Sequence, residues 1–240
     1  MNESRLTFRY EQDSLQNTYQ TWVDFLKEHA LQYDYEVFFT ENGPIVTDRE
    51  NRKFHIDFIH DRNHYYKIKS GLNKEPLARA LGSGQKGFKL LDLSAGLGVD
   101  SVFLSQMGFQ VTAIERNPLI YMCLKIAEDK ALKELLKVPQ FILSESNDYL
   151  NLLQPGQFDV AYFDPMFPDK KKSALPKQEM VVFKNLVGHD EDAKEIIENV
   201  CLKKLFKRFV VKRPLATEAY LKPDGAIHGK IIRYDIYSSH

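Results

Sequence analysis

The spacing of hydrophobic positions changes character about a third of the way along the chain. Residues Ser14 to His29 (SLQNTYQTWVDFLKEH) read as a helix. YEVFFT (35–40) and PIVTD (44–48) flank Glu41-Asn42-Gly43, and Asn-Gly between apolar runs is a hairpin signal. KFHIDFIH (53–60) continues the strand-rich character. From Glu75 onward, short apolar runs alternate with helical periodicity: KLLDLS (89–94), VTAIER (111–116), FILS (141–144), FDVAYFD (158–164), FKRFVVKR (206–213) and KIIRYDIYS (230–238). Strands that alternate with helices build a parallel sheet covered on both faces. Asn117-Pro118 offers an N-cap and an N1 proline for a helix through about Leu136. Asp190 to Leu205 reads as another helix, with acids in its first turns and Lys203 and Lys204 in its last. The pattern predicts an α/β protein, with a small strand-rich α+β subdomain over 1–70 and a sheet-and-helix domain over 71–240.

Composition narrows the setting more than the chemistry. The 240 residues are 43% hydrophobic and 28% charged, a globular balance that excludes collagen-like and disordered chains. Lys plus Arg (33) equals Asp plus Glu (33), so a polyanionic partner has to be met by a local basic patch. Cys123 and Cys201 are too few for a disulfide framework or a four-cysteine zinc site. His55, His60, His64, His189, His228 and His240 have no ligand spacing, so no metal is expected. The start MNESRLTFRYEQDS has no apolar core of a signal peptide, and no run of about 18 apolar residues occurs. The expected location is the cytoplasm, away from membranes.

Candidate chemistry begins after KLLDLS, where Ala95-Gly96-Leu97-Gly98-Val99-Asp100 leads into the helical SVFLSQMG. Two glycines between strand and helix let the backbone turn tightly and approach a ligand at the helix N-terminus. A dinucleotide fingerprint has its third glycine where Asp100 stands, and a carboxylate there opposes a pyrophosphate. A cationic or zwitterionic ligand fits better. Asp92 adds a second carboxylate suited to an ammonium, and Glu115 ends the next strand where it can accept from ribose hydroxyls. Gly96, Gly98, Asp92, Asp100 and Glu115 together read as a site for S-adenosylmethionine (SAM), on a Rossmann-like sheet of the class I methyltransferase kind.

FDVAYF then enters Asp164-Pro165-Met166-Phe167-Pro168, which resembles the [D/N]-P-P-[F/Y] loop of enzymes that methylate planar exocyclic amines; here Met166 replaces the second proline. A ring-conjugated amine is a poor nucleophile, and acceptors for its hydrogens help localise its lone pair. Asp164 is the expected acceptor, Pro165 fixes the backbone that aims the preceding carbonyl, and Phe167 is the expected stacking face for the base. Downstream, Lys170, Lys171 and Lys172 form a basic flap, and a second basic run ends in Lys212 and Arg213. The flap lysines and Arg213 are expected to contact a nucleic-acid substrate.

With SAGLGVDSVFL, ERNP (115–118), DPMFPDKKKSALPKQEMVVFKNLVG (164–188), VVKRP (210–214) and RYDIY (233–237) in view, the chain resembles the bacterial ribosomal RNA small subunit methyltransferase J family, over roughly Lys53 to Tyr237. That family makes N2-methylguanosine at guanine-1516 of 16S rRNA. The resemblance implies cofactor contacts at Val99, Asp100, Glu115, Arg116 and Asp164. It also implies an adenine-side contact where the family's Ser-Ser pair is replaced by Glu145-Ser146, and 16S rRNA or an assembling small subunit as partner. The DPxF logic serves every planar amine, so adenine N6 or a protein glutamine stays open as a target. A non-catalytic RNA-binding module also stays open.

Overall fold

A computed structural model describes residues 6–30, 34–60, 75–82, 87–134, 136–167 and 178–239. The amino-terminal part is β1 (Thr7–Tyr10), α1 (Ser14–His29), β2 (Glu36–Thr40), β3 (Gly43–Thr47) and β4 (Lys53–His55), with strand order β1-β2-β3-β4. The Asn-Gly hairpin forms in the expected register, Thr40 opposite Gly43. β1 pairs parallel to β2; four residues without a flanking turn signal left no trace in the sequence pattern. KFHIDFIH is a strand only as far as His55. Asp57 accepts hydrogen bonds from the backbone N–H of Ile59 (2.9 Å) and His60 (3.0 Å), which turns the chain into a helical turn instead.

The larger sheet is reached through α2 (Pro76–Ala80). It contains β5 (Lys89–Asp92), β6 (Gln110–Glu115), β7 (Gln140–Leu143), β8 (Val160–Phe163), β9 (Arg208–Pro214), β10 (Gly225–His228) and β11 (Ile232–Ser238). Between them run α3 (Val99–Met107), α4 (Pro118–Lys133), α5 (Ser146–Leu152), α6 (Gln178–Val187) and α7 (Ala193–Lys203). The strand order is β10-β11-β9-β8-β5-β6-β7. From β7 to β9 every pair is parallel, whereas β11 runs antiparallel to both β9 and β10. The chain winds outward from β5 through β6 to β7, then crosses back to place β8 on β5's other side. That reversal opens a crevice beyond the strands' carboxyl ends.

Alternation along the strands divides the interior. Leu90, Val160, Tyr162 and Val210 face α3, α4 and the amino-terminal sheet in one hydrophobic body that includes Val37, Phe39, Val46 and Phe54. Leu91, Ala161, Phe163, Phe209 and Val211 face α5 and α7. The amino-terminal strands therefore share their core with the main sheet, and Lys130 of α4 ties them further by donating to Asn42 O (3.3 Å) and Asp57 (3.2 Å).

The helices begin and end where local chemistry dictates. Asn117 caps α4 by accepting from Leu119 N (3.0 Å) and Ile120 N (3.2 Å). The helix stops at Lys133 rather than Leu136, ahead of Pro139, which bars the helical conformation at Val138. α7 starts at Ala193 rather than Asp190, because Asp190 and Asp192 are engaged with Arg116. Within the sequence run 164–188, α6 was not foreseen; it buries Val182, Phe183 and Leu186.

Gly98 is needed for packing. Its φ is +78°, and a Cβ there would lie 2.9 Å from the Phe58 ring and 3.0 Å from Leu124. Left-handed strain of about 1–2 kcal/mol adds to overpacking of about 1–3 kcal/mol. Gly98→Ala is therefore expected to lower unfolding free energy by about 2 kcal/mol or more in denaturant titration; a loss below about 0.5 kcal/mol contradicts this account.

Candidate active site

β5 delivers Asp92 to the base of the glycine loop, and the structure places it beneath that loop rather than on its rim. Asp92 is buried; its carboxylate accepts from Ser94 N (2.9 Å) and from the Ser101 hydroxyl, tying the turn to α3. Burial pushes its pKa up to about 7, aided by the negative charges of Asp100 and Asp164, while the two hydrogen bonds oppose the rise. An ammonium ligand does not reach Asp92 directly. Asp100, in the first turn of α3, is the carboxylate that lines the crevice.

Asp100 and Asp164 are joined by a lysine that the sequence shows only as part of the second basic run. Lys212 of β9 places its Nζ 2.8 Å from Asp100 Oδ2 and 2.8 Å from Asp164 Oδ2. The Tyr162 hydroxyl also donates to Asp100 (2.6 Å). Burial works against the lysine's charge, but attraction to Asp164 and Asp100 outweighs it and holds the ammonium above lysine's ordinary range. Burial raises Asp164 to about 6 against the pull of Lys212. The signal for Lys212 was available: in VVKRP it follows two buried valines at a strand's carboxyl end, where ligands bind in such sheets.

Glu115 ends β6, buried, with one oxygen accepting from Gly96 N (2.9 Å) and the other from Asn117 N (2.8 Å). Burial lifts its pKa to about 7 against those bonds. It thus holds the glycine loop in place while its edge lines the crevice. Arg116 pairs with Asp190, with Asp192 (3.2 Å) and with Glu145 (3.8 Å). Glu145 points outward and does not line the crevice; Ser146 does, with its hydroxyl donating to Leu93 O (2.6 Å).

The loop after β8 is held at both ends of its working segment. Asp164 N donates to Ser94 Oγ (2.7 Å), and Met166 N donates to Asp190 (2.6 Å). The Asp164 loop and the glycine loop therefore face each other across one crevice of about 340 Å³, within the range of small-molecule sites. Its walls include Gly96, Val99, Asp100, Glu115, Arg116, Ser146, Asp164, Pro165 and Lys212, with Met180 and Phe183 from α6. Gly98 lies outside the lining. Phe167 also lies outside it, packed against Tyr220 and Arg213. Arg213 is buried beside Asp235 (3.0 Å), enclosed rather than spread on an outer surface. Lys170, Lys171 and Lys172 lie outside the described residues.

The crevice suits SAM on charge as well as shape. Asp100, Asp164 and Glu115 line it, with Asp92 beneath, the Lys212 ammonium between Asp100 and Asp164, and Arg116 committed to three other acids. The surplus of carboxylates matches a ligand carrying a sulfonium and an ammonium and rejects a pyrophosphate. Among the described residues no cluster of His, Cys, Asp and Glu could hold a metal, and no helix is long and apolar enough to cross a membrane.

This sheet order and this crevice are those of a class I SAM-dependent methyltransferase, and the SAM-dependent methyltransferase family model SAM_MT matches residues 23–239. A crystal structure of a SAM-dependent methyltransferase from Neisseria gonorrhoeae shares the fold, with TM-score 0.72 and 23% identity over 97% of this chain and 96% of that one. The chain belongs to the ribosomal RNA small subunit methyltransferase J family. It is 44% identical to the member from Bdellovibrio bacteriovorus, over 90% of this chain and 88% of the relative. It is 38% identical to the member from Thioalkalivibrio sulfidiphilus, over 76% and 74%.

The raised carboxylates set a pH dependence with a defined sign. Asp92 and Glu115, at about 7 in the folded chain, hold protons between about pH 4 and 7 that they release on unfolding. Their contribution to stability is complete at low pH and is lost as pH rises through 7. A bound cation favours their charged forms, so SAM binding releases protons. SAM affinity is expected to rise from about pH 5 to 7 and then level off in calorimetry, with proton release measured across buffers of different ionisation enthalpy, while the apo Tm falls over the same range. Asp92→Asn should flatten both trends, and unchanged slopes in that variant contradict the assignment.

Proposed function

We propose that this protein methylates the exocyclic N2 amine of a guanine in 16S rRNA, guanine-1516 by family resemblance. The observation that carries the reading is the Asp164 loop, clasped by Ser94 and Asp190 and facing the glycine loop across one crevice. When bound, SAM supplies an electrophilic methyl group on a sulfonium. Everything else falls to this chain's residues.

Asp164 is the acceptor for a hydrogen of the target amine. Lys212 holds that carboxylate in place from the crevice side, and Pro165 fixes the backbone that aims the adjacent carbonyl at the second hydrogen. With a pKa near 6, Asp164 is ionised at neutral pH, acceptor-only and ready to take a proton. As the nitrogen–carbon bond forms and the sulfur–carbon bond breaks, the amine gives up one proton toward Asp164. No thiolate participates: burial raises the Cys123 thiol far above its ordinary value, and Cys201 lies away from the crevice. A guanine whose N2 edge enters the crevice has to leave any duplex first, so a flipped or single-stranded base is the fitting form.

Nucleoside mass spectrometry of rRNA from cells lacking the gene is expected to show loss of one N2-methylguanosine. Labelled methyl on adenine N6 or on protein instead would overturn the reading. In purified enzyme, Asp164→Asn should lower kcat by about 10²–10⁴; turnover at the wild-type rate removes the acceptor role.

A further inference from the structure

Outside the SAM crevice, the described residues bring two near-parallel aromatic rings and a guanidinium together. The rings of Phe167 and Tyr220 lie 22° from parallel with centroids 6.3 Å apart. The Arg213 guanidinium carbon stands 5.2 Å from the first ring centre and 5.6 Å from the second. Its side chain is wholly buried, yet none of its three nitrogens has an acceptor in hydrogen-bond geometry. Asp235 lies 3.0 Å from its Nε and is shared with Arg233 (2.9 Å), so two guanidiniums share one carboxylate. A buried guanidinium with unused donors is costly unless something completes it. What completes it has to bring acceptors into a positively charged recess between two aromatic faces.

We propose that Phe167, Tyr220 and Arg213 form the recognition pocket for the target base, resting on the guanine reading above. The base stacks between the two rings, and the guanidinium donates to O6 and N7, the acceptor pair that guanine alone among the bases presents to an arginine fork. Two stacking gaps of about 3.5 Å need about 7 Å between flanking rings. A small outward swing of Tyr220, whose ring is partly exposed, makes that room. The O6 and N7 edge lies across the purine from N2, so seating it on Arg213 turns the amine away toward the rest of the loop, where Asp164 begins. Adenine puts an amine where guanine has O6 and would set donor against donor.

The test compares RNA fragments carrying guanine or 2,6-diaminopurine at the methylated position; the analogue keeps the 2-amine and replaces O6 with a second amine. Wild-type enzyme is expected to favour guanine in kcat/KM roughly ten- to hundredfold. Arg213→Met should erase the preference while SAM still raises its Tm. Tyr220→Ala, at an exposed position, should raise KM for the fragment roughly tenfold or more with SAM affinity unchanged. If Arg213→Met does not fold, the wild-type base comparison and Tyr220→Ala decide. Equal rates for the two bases in wild type, or an Arg213 variant that slows both alike, overturn the pocket and leave the guanine reading standing. No methyl transfer to either fragment by SAM-bound wild type overturns both.

Discussion

The Lys212 ammonium, 2.8 Å from Asp100 and from Asp164, joins α3, β9 and the loop after β8 at one charged point. Asp92 adds its charge from beneath. Without the lysine, the two carboxylates would face each other across a partly open crevice with their like charges uncompensated. The cluster still carries more negative charge than one ammonium offsets. The unliganded site is therefore under electrostatic tension that a cationic ligand relieves, so cofactor affinity and loop geometry arise from the same groups.

The sequence made the frame of this site legible, because its frame depends on local rules. Strand runs, the Asn117-Pro118 start, the glycine loop and the Asp164 loop each obey a short-range constraint that a single chain displays. What it hid depends on which face a side chain takes in the folded sheet. Asp92 looked like a rim residue, but it ends a strand buried from Leu90 onward and lies under the loop. Lys212 and Arg213 end a basic run, Arg213 with an expected nucleic-acid contact, and both are enclosed by acids outside that run: Asp100, Asp164 and Asp235. The amphipathic period of α6 was present but was obscured by its place inside a motif read for its chemistry.

Successive residues of β9 serve opposite sides of the sheet, as strand geometry requires. Lys212 enters the acidic SAM crevice; Arg213 enters the recess lined by Phe167 and Tyr220. One strand end thus holds an excess of negative charge on one face and of positive charge on the other. The Asp164 loop spans the two, with Asp164 at the acidic end and Phe167 at the basic end.

The placement of β11 has a consequence for the order in which these parts come into being. β11 follows every other described strand in sequence, yet it is seated between β9 and β10, and it brings the Asp235 that partners Arg213. A chain emerging from the ribosome can assemble the glycine loop, the Asp164 loop and Lys212 while β9 is still an open edge. Only when residues 232–238 emerge does the buried arginine gain its counter-charge and the edge close. The cofactor side thus rests on strands up to β9, whereas the base side needs β11 as well, so the two halves of the site depend on different lengths of chain.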